Sequence, residues 1–107
     1  MFEMTGLIVN SGVCGFISRI TVEKEKGKNI SVRIETDCEM VRNFSREIAA
    51  LEMMSVAFTN FLNNPVYKAA AGHLRHVACP VPSAVIKAVE VESGLCLPRE
   101  VSMKFEE

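Results

Sequence analysis

Apolar and polar positions alternate from residue 16 to residue 35, and this alternation predicts a β-hairpin. Phe16, Ile20 and Val22 share one face and Arg19, Thr21 and Glu23 the other, with Ile17 out of phase. After a turn at Lys26-Gly27-Lys28, Ile30, Val32 and Ile34 alternate with Ser31, Arg33 and Glu35. A period of two with one apolar face marks a half-buried strand pair. Ahead of it, Gly6-Leu7-Ile8-Val9 is apolar enough for a short strand. Asn10-Ser11-Gly12-Val13-Cys14-Gly15 then sets two glycines around a cysteine, which predicts a tight loop presenting Cys14.

Past Asp37 the period changes. Val41, Phe44, Ile48 and Leu51 recur at near-helical spacing, and Asp37 is a candidate cap that puts Cys38 in the first turn. Met53 to Leu62 continues as helix and Asn63-Asn64-Pro65 stops it; Val66 to Ala71 predicts a short helical segment ended by Gly72. Pro80 suits a first helical position, where no N–H partner is needed. From there to about Glu92, Val81, Ala84, Val85, Ala88 and Val89 form one stripe, with Lys87 and Glu90 opposite. Ser93-Gly94 turns the chain and Leu95-Cys96-Leu97-Pro98 leads out. Val101, Met103 and Phe105 alternate with Ser102 and Lys104, which predicts a C-terminal edge strand over 101–105. Strands, then helices, then a returning strand describe an α+β domain spanning 1–107: a small antiparallel sheet with helices packed on one face.

Composition narrows the function classes. With 107 residues and 49% hydrophobic content, the chain can build one core without crosslinks. Twelve basic and thirteen acidic residues leave a net charge of −1, so no nucleic-acid footprint is expected. No apolar run approaches the roughly 18 residues a membrane span needs, and Met1-Phe2-Glu3-Met4 lacks the regions of a secretion signal. A cytoplasmic location is therefore expected, in which four cysteines are thiols or metal ligands rather than disulfides. Met40, Met53, Met54 and Met103 read as adaptable core filler. No serine–histidine–acid set, phosphate loop or HExxH motif is present, and no catalytic activity is expected.

Three of the cysteines fall at junctions between elements. Cys14 precedes the hairpin, Cys38 follows it, and Cys79 opens the last helix. Antiparallel pairing sets the start of one strand beside the end of the next, so Cys14 and Cys38 should be spatial neighbours. A helix docking on the same end would add Cys79, whose place at a helix N-terminus favours thiolate over thiol. Three convergent thiolates suit zinc, copper(I) or an iron–sulfur cluster. The competing expectation is three small buried cysteines without a shared role.

The layout also resembles the U-type iron–sulfur cluster assembly scaffolds, including the amino-terminal domain of nitrogen-fixation scaffold proteins. The resemblance rests on Cys14-Gly15, the hairpin from Phe16 to Glu35, Cys38 in Ile34-Glu35-Thr36-Asp37-Cys38, Cys79 in His76-Val77-Ala78-Cys79, and the helix Ala84-Val85-Ile86-Lys87-Ala88-Val89. It covers about residues 6–92 and implies that Cys14, Cys38 and Cys79 are cluster ligands. The chain is similar to a divergent member. Phe16 stands where the family has aspartate after Cys-Gly, Asp37 replaces a glycine, and Ala78 replaces the histidine before the third cysteine. The family's chaperone-binding segment is not recognisable in Ala71 to Val77.

A tetrahedral site needs a fourth ligand. His76, three residues before Cys79, is the leading candidate, followed by Asp37 and Cys96, then His73. Expected partners are proteins donating metal or sulfide, with a homo-oligomer sharing one site between two chains as an open alternative. No membrane is expected. A second resemblance competes: Cys79-Pro80-Val81-Pro82 is similar to the CPxP motif of small sulfur-carrier proteins, which implies a persulfide on Cys79. It covers only about a dozen residues and gives Cys14 and Cys38 no task.

Overall fold

The alternating stretch does form the hairpin, and it lies at the centre of a four-stranded antiparallel sheet of order β1-β2-β3-β4. The computed structural model describes residues 4–106; Met1–Glu3, read above for a secretion signal, lie outside the described residues. The strands are β1 (Met4–Asn10), β2 (Ile17–Lys24), β3 (Asn29–Glu35) and β4 (Ala50–Glu52). Ile20 faces Ile34 and Val22 faces Val32 across the hairpin. All four are buried, because their faces are the ones the helices cover. Gly27 adopts φ 64°, a left-handed conformation that lets the turn close with Glu25 N–H on Asn29 O at 2.8 Å.

The helices are α1 (Glu39–Glu47), α2 (Met53–Phe58), α3 (Pro65–His73) and α4 (Val81–Glu92). α4 packs on β1 and β2, and α1 on β3. Val81, Val85, Ala88 and Val89 of α4 are buried with Val41 and Phe44 of α1. The far end of α4 is fastened by Glu92, which accepts from the Thr5 hydroxyl at 2.6 Å and the Lys24 N–H at 3.3 Å. Asn64 is a compact joint between α2 and α3. It is 2% exposed, caps Val66 N–H at 3.0 Å, and donates to Val56 O and Thr59 O at 2.8 and 3.0 Å.

Several boundaries differ from the sequence pattern. α1 ends at Glu47, and Leu51 belongs to β4 instead of the helical stripe. β4 pairs Ile30 with Leu51, and its flanks are held by Val32 N–H on Ala49 O and Met53 N–H on Lys28 O. Glu52 then caps α2 by accepting from Met54 and Ser55 N–H groups. The expected C-terminal edge strand is a correction: residues 101–105 carry no ladder. Val101, Met103 and Phe105 are 69, 87 and 102% exposed. Alternation supplies two faces, but a strand also needs an edge to pair with. Met103 and the 40%-exposed Met54 are therefore not core filler either. Among the described residues no helix is long and apolar enough to cross a membrane.

Candidate metal site

The end of the sheet where β1 finishes, β2 begins and β3 finishes carries a cavity of about 470 Å³. Three segments wall it. The β1–β2 loop contributes Val13, Cys14 and Phe16; the start of α1 contributes Cys38, Met40 and Val41; the approach to α4 contributes Leu74, His76 and Cys79. Cys14, Cys38 and Cys79, separated by 24 and then 41 positions, thus face one space.

Local structure explains each placement. Cys14 ends a single 3-10 turn, Gly12–Cys14, between two glycines with φ 82° and 79°. Gly12 N–H bonds Asn10 Oδ1 at 3.0 Å, Gly15 N–H bonds Gly12 O at 2.8 Å, and Ser11 N–H bonds Phe16 O at 3.0 Å. These bonds hold the neck of the loop, and Cys14 is exposed at its tip. Cys38 is itself the N-cap of α1, one position earlier than a first-turn residue, and Asp37 makes no capping bond. Cys38 N–H donates to Thr36 Oγ1 at 3.2 Å, and Cys38 O accepts from Arg42 N–H at 2.9 Å. Cys79 sits just outside α4, where Pro80 is the N-cap; its N–H bonds His76 O at 3.1 Å.

The electrostatics of Cys79 reverse the expected sign. Burial raises its pKa above the ordinary 9.0, outweighing the Val81 N–H that pulls it down, while Cys38 and Cys14 push it further up. The helix-end contribution is real, but removal from water dominates, so without a bound cation Cys79 is held as the thiol. The cavity wall is largely apolar, which is the source of that burial.

Of the candidate fourth donors, His76 lines the cavity and is exposed. The others do not line it. Asp37 is 94% exposed and pairs with Arg42 Nη2 at 3.7 Å. His73 pairs with Glu47 at 2.7 Å, linking α3 to α1. Cys96 lies past the opposite end of α4, with Sγ 4.0 Å from Glu90 Oε1. Among the described residues, no three Cys, His, Asp or Glu side chains are gathered closely enough to hold an ion as they stand. The donors share a cavity without meeting at one point. Met40, which the pattern assigns to core filler, and Phe16, which it assigns to the apolar face of the hairpin, both line this space; their nearness in sequence to Cys38 and Cys14 is the signal that points there.

Residues 5–105 match the model of a family of unknown function, a span that takes in all four helices and every wall of the cavity. Neither the curated proteins nor the solved structures yield a match.

Proposed function

We propose that this chain, which belongs to the family of unknown function DUF6951, holds an iron–sulfur cluster or zinc through Cys14, Cys38 and Cys79. His76 is the fourth ligand in this reading, and the protein acts as a divergent iron–sulfur assembly scaffold. One observation carries it: three cysteines distant in sequence, and one histidine, line the same cavity. Soft thiolate donors in a largely apolar pocket select soft or borderline metals over magnesium or calcium. The cavity is larger than a single ion requires, which leaves room for a polynuclear cluster. Closing the donors onto one centre needs movement of the loop from Gly12 to Gly15, where Cys14 is exposed and two glycines supply backbone freedom. Because metal displaces thiol protons, uptake strengthens as pH rises.

The persulfide-carrier reading is favoured less. It uses Cys79 alone, and a half-buried thiol whose pKa is raised by desolvation is a poor nucleophile near neutral pH. Anaerobic purification with elemental analysis and a visible spectrum tests the proposal. Iron with labile sulfide and colour supports a cluster, and stoichiometric zinc without colour supports a closed zinc site. Neither metal, with persulfide still loaded on the chain carrying Cys14→Ser and Cys38→Ser, rejects metal binding in favour of the carrier.

A further inference from the structure

Among the described residues, two strand-forming segments have an unpaired side. β1 pairs with β2 on one side only, and its seven residues include no charge and no proline. Edge strands are ordinarily blunted by such residues, or by being short, as β4 is with three residues and Glu52. Leu7 and Val9 point to the helix-covered side of the sheet yet are only half-buried, since among the described residues no strand lies beyond them. The second segment is Val101-Ser102-Met103-Lys104-Phe105, which has a strand's period of two and leaves every apolar side chain exposed.

We propose that a second copy of this chain supplies the missing strand: the 101–105 segment of each copy pairs along the free edge of β1 in the other. In that register Val101, Met103 and Phe105 extend the row of Leu7 and Val9, while Ser102 and Lys104 join the solvent face. Main-chain bonds to an open edge give affinity, and alternate side chains give phase. The exchange is reciprocal and closes as a two-fold dimer. Within one chain the segment joins no ladder and buries none of its apolar side chains. Pairing β1 with β1 of a second copy would leave those side chains in water. The matched family span of 5–105 includes both segments.

Sedimentation of the full chain over a range of concentrations, combined with amide hydrogen exchange, tests this. A dimer is expected, with protection in β1 and in 101–105 rising together as concentration rises. Met103→Pro removes an N–H from the segment, and Phe105→Asp charges its apolar row. Both should give monomer with the helical circular dichroism signal and the denaturation midpoint of the monomer core retained, since neither side chain belongs to the core. A chain that is monomeric throughout, a dimer that survives both substitutions, or protection of 101–105 that ignores concentration overturns the proposal. The last result would mean that the segment closes on its own chain.

Discussion

Ser18 donates its hydroxyl proton to Thr36 Oγ1 at 3.0 Å, joining the start of β2 to the end of β3 directly behind Cys38. Ser18 is 1% exposed, so its hydroxyl has been taken out of water to make this bond. The same Thr36 oxygen accepts the Cys38 N–H at 3.2 Å. One side chain therefore holds the open end of the hairpin together and sets the backbone of a candidate ligand.

Thr36→Val keeps the shape of that side chain and removes both bonds. Leaving a buried hydroxyl without a partner should cost about 1–3 kcal/mol, readable as a lowered denaturation midpoint with an unchanged slope. Ser18→Ala removes the orphaned hydroxyl as well and should cost less. If Thr36→Val is as stable as the parent, the bond does not brace this end of the sheet.

The raised pKa of Cys79 has a pH signature in the metal-free, reduced protein. The folded state favours the thiol, so the associated stability is complete below the ordinary thiol value of 9.0 and is lost as pH rises through the higher folded value. Urea unfolding from pH 8 upward should show this loss, and Cys79→Ala should abolish its Cys79 component. Alkylation should follow the same order, with exposed Cys14 reacting first and Cys79 lagging. Faster reaction at Cys79 would mean that the helix end outweighs burial after all.

Asn64 gives a prediction remote from the cavity. Asn64→Ala removes the cap of α3 and strands the carbonyls of Val56 and Thr59, so a loss of about 2 kcal/mol or more is expected. Asn64→Asp retains the acceptor for Val66 N–H but donates nothing, and places a carboxylate beside two carbonyl oxygens. It should therefore recover little of the loss. Near-parental stability of Asn64→Asp would show that capping alone matters at this joint.

The parts of the fold legible in sequence are those where periodicity and burial coincide. The hairpin and α4 each bury one face along most of their length, so Ile20, Val22, Ile30, Val32, Val85 and Val89 announce themselves. That Cys14 and Cys38 line one cavity follows from antiparallel pairing alone. β4 was hidden because Ala50-Leu51-Glu52 is three residues of helix-forming types, and pairing with β3 overrides that preference. The tail from Val101 to Phe105 misled in the opposite direction, having the period without the partner. The sign at Cys79 was hidden for a different reason: the helix end is visible in sequence, whereas the apolar wall that desolvates the sulfur is assembled from three separate segments.

Metal content across single substitutions separates the donors by position. Cys14→Ser, Cys38→Ser and Cys79→Ser each remove one of the three thiols lining the cavity and should each abolish stoichiometric binding under anaerobic reconstitution. Asp37→Ala, His73→Ala and Cys96→Ser alter side chains engaged outside it and should leave metal content unchanged. His76→Ala is the graded case. As the fourth ligand it should weaken affinity and shift the absorption of a bound cluster or of a cobalt substitute, because an imidazole nitrogen has been exchanged for water or an added thiol. An unchanged spectrum and affinity would remove His76 from the coordination sphere. Loss of metal on substituting Cys96, at the far end of α4, would be incompatible with a site in this cavity, since the helix between them does not bend to bring that sulfur across.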